Sequence, residues 1–583
     1  MRVLRVHFRR FRGFEQLQIE PRGHVLLVGE PRAGRSDALE GLSRVLGWGG
    51  RRMEEPDELD FHMRDTSARA EVEVVLGELG PEIEQLFWDQ LEFWDVEESE
   101  LIEELESPER LDDEGIANVV RLCYRIEWDE SEGEARHWVD FPKSSDAGAG
   151  VFRRLTRTER EALPFVGSTA TGRVLSLAPR SSFRELVDQA EGDGLADALD
   201  DLVQRLQDLG SDLASVDQVA NALEAVVAPW RVGLGISDTP AEDIVRFLPE
   251  GGAVAAILRS LAPALDLPNA PESLPLVRHG STVHALASHG QLIARATKAG
   301  VVALDDFGDR LDSASAHHSA DLLRRASGQL WLATRVPQVA EAFAPEEIVR
   351  LSWTGAGERA RHYGHRPTTK GERLAARHMS IQIFPAMSAA SVVIVEGPHD
   401  RAALNALIEK LGAEEAAPGF AAYRIALIDA GAADASGGTG SVVRLADAAV
   451  NLGFRTVVVL DHDRADQATT ELASAIAAAD AVIRLPEGFA IERALCDGLD
   501  DEAVRESLRA LTEGFVVQLP DGLDDLEGRE LRRTVVRMLK GSGGLHAEFV
   551  AALDEGAVPP VARAVIEAAI AACTGGQSGH IQL

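Results

Sequence analysis

Hydrophobic and polar residues alternate along the first part of the chain until a glycine-rich turn interrupts the pattern. Residues 1–28 are predicted to form strands, and a helix is predicted over 34–46. Alternation at 68–76 predicts another strand, and the patterns at 123–127 and 137–141 predict two shorter ones. The sequence therefore predicts an α/β domain at this end of the chain.

Leucines at helical spacing, with charged residues between them, mark residues 181–230. The repeating positions are Leu186, Leu195, Leu199, Leu202, Leu206 and Leu209. This pattern predicts a helical insertion whose apolar stripe pairs with a second copy of the chain. Strand-like runs return at 301–304 and 330–333, so we expect the first domain to comprise 1–180 and 231–355.

Short apolar runs alternate regularly with helical stretches in the last third of the chain. Predicted strands lie at 392–395, 425–428, 457–460 and 481–485, and predicted helices lie near 400–412, 441–451 and 467–479. Such alternation is typical of a parallel sheet with crossover helices. We expect a linker over 356–388 and a second domain over 389–583.

The length and composition of the chain fit a folded protein of several domains. A chain of 583 residues exceeds what one hydrophobic core supports. No apolar run is long enough to span a bilayer, and the strand-like amino terminus lacks the apolar core of a signal peptide. The cysteines lie far apart in sequence, which excludes a zinc ribbon by spacing and argues against a disulfide scaffold. We therefore expect a soluble cytoplasmic protein with no membrane association.

A net charge of −36 sets a condition on any binding of nucleic acid. An acidic chain repels DNA at long range, so contact with DNA requires local basic faces or bound metal ions. Much of the acid lies between residues 54 and 114, including a run at 97–106 that we interpret as a solvated helix or loop.

Two acidic motifs follow predicted strands of the second domain. Glu396 and Asp400 lie on either side of a turn at Gly397, and Asp461 and Asp463 end a later strand. The carboxyl ends of parallel strands meet at one edge of a sheet, so the four carboxylates are expected to share a cleft. They cannot all stay ionised without compensation, which Mg²⁺ or Mn²⁺ usually provides. A site of this kind, with its metal ions bound, supports phosphoryl transfer. The alternative interpretation is that the four acids are unrelated and have only structural roles.

The two motifs, Glu-Gly-x-x-Asp and then Asp-x-Asp on alternating strands, resemble a Toprim domain. That fold occurs in topoisomerases, primases and nucleases of the overcoming-lysogenization-defect (OLD) family. The resemblance implies hydrolysis of phosphodiester bonds by a two-metal mechanism with Mg²⁺ or Mn²⁺. It implies metal-binding and catalytic roles for Glu396, Asp400, Asp461 and Asp463. The segment around Glu492 resembles the additional metal-binding glutamate of OLD-type domains. The segment containing Lys540 resembles the part that supplies their catalytic lysine, which steadies the scissile phosphate.

A basic stripe leads to this lysine. Arg529, Arg533, Arg537 and Lys540 are spaced four, four and three residues apart, which is one face of a helix, and Arg532 sits beside them. In so acidic a chain, a basic stripe next to a carboxylate site predicts a track for the phosphates of DNA. The alternative is a solvated helix face whose arginines pair with nearby acids.

A phosphate-binding loop is predicted where a strand leads into the first helix. Gly29, Gly34, Arg35 and Ser36 stand in this turn, where backbone N–H groups can cradle phosphates and the serine can reach Mg²⁺. With the upstream segment 8–14, Phe-Arg-Arg-Phe-Arg-Gly-Phe, this loop resembles the start of RecF-, SMC- and OLD-type ABC ATPase heads. The resemblance extends over most of the predicted first domain and implies that the head binds ATP.

The head departs from the ATPase pattern at several positions. Arg35 replaces the usual lysine, and a guanidinium fork does not reproduce a compact ammonium group. The Walker B candidate ends in Asp305 and Asp306, with aspartate where a catalytic glutamate is usual. The signature candidate retains Ser288 and Gly290, but the usual switch histidine is absent. We expect nucleotide binding with weak or absent hydrolysis, and the alternative is a head that binds no nucleotide and only supports assembly.

The resemblances cover nearly the whole chain and favour a DNA endonuclease of the OLD kind, similar to the nuclease subunit of Gabija-type phage-defence systems. They imply restraint of cleavage by nucleotide, assembly as a homodimer or homotetramer, and a separate helicase-like partner. A topoisomerase would need a tyrosine nucleophile in a suitable domain, and a primase would need a zinc-binding or helicase-binding module. A DNA-repair scaffold of the RecF or SMC type is the alternative from a different class, but a scaffold has no need of the acid set.

Overall fold

The computed structural model describes an amino-terminal head built on two large sheets and a carboxyl-terminal domain built on a third. The described residues are 1–47, 55–102, 115–168, 174–178, 181–188, 197–199, 201, 204–205, 216–227, 258–259, 261–265, 274–296, 300–354, 358–368, 382–431, 439–462, 468–514, 522–541 and 544–583. Within these ranges, no helix has the length and hydrophobicity that crossing a membrane requires. Cys123, Cys496 and Cys573 are buried and form no disulfide.

The first sheet of the head is antiparallel, with one apolar and one charged face. Its strands are β1 (Arg2–Phe11), β2 (Phe14–Ile19), β4 (Ala70–Gly77), β5 (Leu91–Asp95), β6 (Glu100–Ile102), β7 (Ile116–Asp129) and β8 (Glu134–Asp140). The order is β2-β1-β4-β7-β5-β6, with β8 also paired to β7. Along β1, Val6 and Phe8 are buried, while Arg5 and Arg9 form cross-strand ion pairs with glutamates of β4. The amino-terminal alternation therefore arises from a two-faced sheet.

The second sheet of the head is mostly parallel and has the glycine-loop strand inside it. Its strands are β3 (Val25–Gly29), β9 (Phe165–Ser168), β12 (Val301–Leu304), β13 (Gln329–Ala333), β14 (Ile348–Trp353) and β15 (Arg359–Tyr363). The order is β15-β14-β3-β13-β12-β9, and only the β14–β15 pair is antiparallel. Every residue of β3 is buried, as expected for a strand covered on both faces. A short pair, β10 (Ala264–Leu265) and β11 (Leu274–Pro275), lies outside these sheets.

Helix α1 (Arg35–Leu46) contacts strands of both large sheets of the head and joins them. Gly41 permits this packing, because a Cβ at that position would lie 2.6 Å from Cε1 of Phe8. The other head helices are α2 (Pro81–Leu86), α3 (Arg157–Glu161), α4 (Ser182–Asp188), α5 (Asp217–Val227), α6 (Ser281–Ala296), α7 (Ser313–Ala326) and α8 (Pro337–Ala340). The head therefore combines segments from both ends of the first 363 residues.

The carboxyl-terminal domain contains the parallel sheet that the sequence predicts. Its strands are β16 (Ser391–Val395), β17 (Ile425–Asp429), β18 (Arg455–Leu460), β19 (Ala481–Arg484) and β20 (Gly579–Gln582), in the order β17-β16-β18-β19-β20. All four neighbouring pairs are parallel. The helices are α9 (Pro398–Glu415), α10 (Thr439–Asn451), α11 (Ala468–Ala478), α12 (Ile491–Ala494), α13 (Asp501–Gly514), α14 (Gly528–Gly541), α15 (His546–Ala551) and α16 (Pro560–Cys573). The predicted α/β fold class is confirmed.

One hydrophobic core continues from the head into the carboxyl-terminal domain. Leu26 and Val28 of β3 belong to the same buried cluster as Val392 and Ile394 of β16. Since β3 leads into the glycine-rich loop and β16 leads into the first acidic motif, the strands that carry the two candidate sites share this core.

Within the acidic run at 97–106, expected to be a solvated helix or loop, residues 100–102 instead form strand β6 at the edge of the first sheet. Leu101 packs against the buried cluster of Val75, Trp94 and Val119. This apolar contact stabilises the pairing of the acidic segment as a strand despite the charges beside it.

The sheet of the head also extends into the linker expected at 356–388, because β15 pairs with β14 there. Arg359 of β15 lies over the ring of Trp353, with its guanidinium carbon 4.7 Å from the ring centroid. A segment that is arginine-rich in sequence is thus held by backbone pairing and aromatic contact. Of the insertion predicted at 181–230, Leu195, Leu202, Leu206 and Leu209 lie outside the described residues.

Candidate active site

Two acids meet where neighbouring parallel strands end. Glu396 follows β16 and Asp461 follows β18, and these strands pair with Ile394 opposite Val458. The backbone N–H of Asp461 donates to Oε1 of Glu396 at 3.1 Å. The fold therefore brings the two acidic motifs to one edge of the sheet, although they are more than sixty residues apart in sequence.

Asp400 lies in the first turn of α9, where the helix dipole favours a carboxylate. Its Oδ2 accepts a hydrogen bond from the backbone N–H of Gly397 at 2.9 Å. Burial raises the pKa of Asp400 to about 6 against the effect of this bond, and the charges of Glu396 and Glu492 add to the rise. Because burial is the main cause of the raised pKa and the neighbouring carboxylates add to it, a cation beside Asp400 would stabilise its ionised form.

Glu492, on the short helix α12, lies between two basic side chains. Its Oε2 is 3.7 Å from Nζ of Lys540, and its Oε1 is 3.6 Å from Nε2 of His546. Burial opposes ionisation of Glu492, but the contact with His546, a backbone hydrogen bond and the charge of Lys540 together hold its pKa below the ordinary value. Glu492 is therefore a carboxylate at neutral pH.

Backbone hydrogen bonds tie the loop that carries Asp461 to the loop that precedes Glu492. The N–H of His462 donates to the carbonyl of Phe489 at 2.8 Å, and the N–H of Gly488 donates to the carbonyl of His462 at 2.8 Å. These loops follow the neighbouring strands β18 and β19. The spacing between the two acid-bearing segments is thus set by main-chain pairing.

Sequence reasoning missed a further acid at this edge. Asp429 ends β17 beside Val395 and is buried. Arg401 donates to its Oδ2 and the N–H of Gly431 donates to its Oδ1, both at 3.1 Å. A strand-ending aspartate after Ile-Ala-Leu-Ile is the feature that could have revealed it. Since hydrogen bonds occupy both oxygens, Asp429 supports the edge and is a poor candidate for a ligand.

Two histidines also belong to the site and were not predicted. His399 stands inside the first acidic motif, and His546 follows Lys540 by six residues. Their rings stack, with centroids 5.1 Å apart and planes 7° from parallel. No residue spacing in the sequence indicates this contact, because it joins helices α9 and α15.

The chemistry of the acids suits a hard divalent cation such as Mg²⁺ or Mn²⁺, which prefers carboxylate oxygens. Oε2 of Glu492 is buried without a hydrogen-bond partner in the described parts of the chain. In those same parts, no three side chains of His, Cys, Asp or Glu converge closely enough to hold a metal ion as they stand. Asp463, the fourth predicted acid, lies outside the described residues. The donor set fits such an ion in kind, and Glu396, Asp400, Asp461 and Glu492 are the described side chains that would hold it.

Helix α14 presents the predicted basic face. Its buried side is formed by Leu531, Val535 and Leu539, and the exposed residues on the other side are Arg529, Arg533, Arg537 and Lys540. No ion pair joins the three exposed arginines to any acid that the structure describes. Arg532 does not belong to this face, because its guanidinium donates to Asp501 and to the carbonyl of Leu499.

Two glycines of the glycine-rich loop of the head have backbone conformations that favour glycine. Gly29 and Gly34 have φ of +138° and +98°, and a Cβ on Gly29 would lie 2.0 Å from the carbonyl oxygen of Leu351. Ser36 is hydrogen-bonded to Asp305. Burial raises the pKa of Asp305, and the hydrogen bond from Ser36 acts against that rise. The predicted P-loop and Walker B segments are therefore in contact.

Two arginines near this loop, Arg35 and Arg335, are engaged with the protein itself. Nη1 of Arg35 donates to the carbonyl of Thr334 at 2.7 Å. Arg335 forms an ion pair with Asp306 at 3.5 Å and a closer one with Asp309. A bound phosphate would have to compete with these contacts for both arginines.

The signature candidate lies within helix α6. Ser288 lines a cavity of about 210 Å³ together with Asp305 and Asp306, whereas Gly290 is exposed. His289, which the sequence analysis did not single out, stacks on Phe307 with ring centroids 4.6 Å apart. Burial lowers the pKa of His289 to about 4, so this ring is neutral at physiological pH.

Residues 388–463 match the family described as "Overcoming lysogenization defect protein-like, TOPRIM domain". This match covers β16, β17 and β18 and includes the two acidic motifs. A comparison with curated proteins finds no match.

Two solved structures of other proteins have distant similarity to this chain. The crystal structure of the SmcHead bound to the C-winged helix domain of ScpA has a TM-score of 0.30 and 13% sequence identity, covering 62% of this chain and 97% of that one. The crystal structure of Stu0660 of Streptococcus thermophilus has a TM-score of 0.26 and 9% identity, covering 66% of this chain and 86% of that one.

Proposed function

We propose, from the premise that residues 388–463 form an OLD-like TOPRIM domain, that this protein is a metal-dependent DNA endonuclease with a nucleotide-binding regulatory head. The TOPRIM domain itself indicates a nuclease. The observation that carries the proposal is the placement of Glu396, Asp400, Asp461 and Glu492 near one sheet edge, where Glu396 and Glu492 act electrostatically on Asp400 and Lys540 lies beside Glu492.

The chemistry of the proposed reaction follows from the charges at this edge. A divalent cation would supply the positive charge that a phosphodiester and several carboxylates need in order to approach one another. Glu396, Asp400, Asp461 and Glu492 would hold it, and Asp463 is proposed as a further ligand. Lys540 would then exchange its contact with Glu492 for an oxygen of the scissile phosphate, whose negative charge grows as the bond breaks.

The exposed face of α14 supports DNA as the substrate. Arg529, Arg533 and Arg537 lead along one side of the helix to Lys540. In a chain of net charge −36, this face offers phosphates a local attraction next to the acid site. We propose that it contacts the backbone of the strand to be cut.

The head is proposed to bind ATP and to hydrolyse it weakly. The contact between Ser36 and Asp305 fits a Mg²⁺–nucleotide site. Against efficient turnover stand the bond from Arg35 to Thr334 and the pairing of Arg335 with Asp306. We propose that nucleotide occupancy of this head regulates cleavage, and that the signature residues Ser288 and Gly290 contribute to the nucleotide site.

The setting of the activity is proposed from the family resemblance. The resemblance to OLD-type nucleases, and to those of Gabija systems in particular, implies a cytoplasmic role in anti-phage defence. It also implies assembly as a homodimer or homotetramer and a helicase-like partner. The alternative is a DNA-repair scaffold of the RecF or SMC type that binds DNA without cutting it.

A plasmid-nicking assay with Mg²⁺ or Mn²⁺, with and without ATP, tests the proposal. We expect the wild-type protein to convert supercoiled plasmid DNA to the nicked or linear form. The substitutions Glu396→Ala and Asp461→Ala should each abolish this conversion. Glu409→Ala, an exposed acid on α9, is the matched control and should cut normally. A wild-type protein that binds DNA but never cuts it, in either metal, would support the scaffold alternative.

A further inference from the structure

His546 is a buried polar side chain beside the acid site. It begins helix α15, and only 2% of its surface is exposed. Neither ring nitrogen has a hydrogen-bond partner in the described parts of the chain. A phenyl or leucyl side chain would fill such a place without leaving polar atoms unsatisfied. Hydrophobic packing alone therefore does not explain an imidazole at this position.

The carboxylate of Glu492 lies close to this imidazole. Nε2 of His546 is 3.6 Å from Oε1 of Glu492, only slightly longer than a hydrogen bond. Lys540 approaches the other oxygen, Oε2, at 3.7 Å. A small rotation of either side chain would turn the histidine contact into a hydrogen bond to Oε1.

The ring of His546 is held in place by His399. The two rings stack in parallel, with centroids 5.1 Å apart. Gly544, at φ +107°, permits this arrangement, because a Cβ there would lie 2.5 Å from Cε1 of His399. Gly544 therefore lies directly against His399, the residue before Asp400.

We propose that His399 and His546 form a positioning pair for Glu492. His546 fixes the rotamer of the Glu492 carboxylate through Oε1, and His399 fixes the ring of His546 by stacking. The same stack holds the start of α15 against the start of α9. This inference rests on the proposed function in one respect, namely that Glu492 is a ligand of the divalent cation.

The geometry separates the roles of the two rings. His546 acts through a nitrogen, so glutamine at this position can replace it in part, while phenylalanine keeps the stack and removes the nitrogen. His399 acts through its ring face, so phenylalanine can replace it, while alanine cannot. These paired substitutions distinguish positioning from general support of the fold.

Mn²⁺ binding to the full-length protein, measured by titration calorimetry or by the spin resonance of free Mn²⁺, is the primary test. We expect His546→Phe to weaken Mn²⁺ binding about 10-fold or more, as loss of a group that orients a metal ligand typically does. His546→Gln should recover part of this loss. His399→Ala should weaken binding several-fold, and His399→Phe should bind like the wild type.

The nicking assay supplies the second measurement. The Mn²⁺ concentration for half-maximal nicking should rise in His546→Phe, and the rate at saturating Mn²⁺ should recover towards that of the wild type. Unchanged Mn²⁺ binding and unchanged Mn²⁺ dependence in both His546→Phe and His399→Ala would overturn the pair. If His546→Phe fails to fold, His546→Gln and the two His399 variants decide the question, and equal Mn²⁺ affinity in all three would overturn it.

Failure of this inference is distinguishable from failure of the proposed function. If the histidine variants behave like the wild type while Glu396→Ala abolishes nicking, only the positioning pair is wrong. If Glu492→Ala binds Mn²⁺ and nicks DNA like the wild type, Glu492 is not a ligand, and both the pair and this part of the proposed site fall.

Discussion

Arg350 of the head places its guanidinium over the ring of Phe454 in the carboxyl-terminal domain, with the guanidinium carbon 3.9 Å from the ring centroid. Its Nη1 donates to the carbonyls of Leu452 and Gly453 at 3.1 and 2.9 Å, and its Nη2 donates to the carbonyl of Ala389 at 2.7 Å. Burial lowers the pKa of Arg350 to about 10, so the group stays charged at neutral pH. One fully buried side chain thus joins the two domains.

Arg350→Met is expected to destabilise the junction between the domains. The substitution keeps much of the side-chain volume but leaves three buried carbonyls without their charged donor, which costs roughly 3 kcal/mol or more. Urea unfolding and limited proteolysis of the 364–390 region would detect the loss. Arg136→Met is the matched control, because that arginine is 67% exposed and its ion pair is worth about 0–1 kcal/mol. Equal stability of the two variants would contradict a role for Arg350 at the junction.

Asp400→Asn is expected to stabilise the metal-free protein at neutral pH while abolishing nicking. The pKa of Asp400 is raised from 3.8 to about 6, so between these values the folded chain holds a proton that the unfolded chain has released. The free energy of unfolding therefore falls as pH rises through this window, and the penalty is fully present above it. Asparagine removes the charge and can still accept the bond from Gly397.

Thermal unfolding in EDTA over a pH series checks this expectation. The variant should exceed the wild type by about 1–3 kcal/mol at pH near 7.5 and converge with it near pH 4. Asp524→Asn, whose side chain is 80% exposed, should show neither effect. A stability gap between Asp400→Asn and the wild type that does not change with pH would argue against a strained Asp400.

Neutralising the basic face of α14 is expected to weaken DNA binding in a salt-dependent way. Arg533→Ala and Arg537→Ala should each lower affinity several-fold near 0.1 M salt. Each lost phosphate contact should reduce the slope of log K against log salt concentration by about 0.9. Fluorescence anisotropy with duplex DNA at several salt concentrations measures both quantities.

The control for this experiment is Arg509→Ala in the same domain. Arg509 is 40% exposed, but its guanidinium is already paired with Glu502 and Asp524, so DNA gains little from it. If Arg509→Ala changed the salt slope as much as Arg533→Ala, the binding would be nonspecific attraction to the domain rather than contact along α14.

Weak ATP hydrolysis is expected from the head, and the cause is expected to lie in two residues. Arg35→Lys restores a compact ammonium group, and Asp306→Glu restores the longer acid. Either change alone should alter turnover little, because the other defect remains, whereas the pair should raise it several-fold. Phosphate release measures turnover, and the same pair with Ser36→Ala is the inactive control. Rapid hydrolysis by the wild-type head that disappears in Arg35→Ala would contradict this account.

Local patterns in the sequence determined much of the fold and the identity of the principal acids. The strands β3, β12, β16 and β18 could be predicted because their apolar runs are short, continuous and bounded by turns. Glu396 and Asp461 could be identified because strand ends are places defined by the strands themselves. These patterns involve only residues that are close together in sequence, so they can be recognised without the tertiary structure.

Contacts between distant elements were decided only by the tertiary structure. The sequence could not reveal that Arg532 turns to Asp501 while Arg533 faces solvent, or that Arg35 is bonded to Thr334. Within the run at 97–106, the expectation of a helix or loop was wrong for residues 100–102, where apolar contact with another strand outweighed the acidic composition.

The surroundings of Glu492 illustrate the same division. Residue type and motif singled out the glutamate, but its neighbours Lys540 and His546 come from helices α14 and α15, roughly fifty residues further along the chain. Their approach depends on how those helices pack on the sheet, and packing is a property of the whole domain. The sequence therefore determined which groups carry the charge, and the tertiary structure determined which of them meet, because electrostatic interactions depend on distance in space.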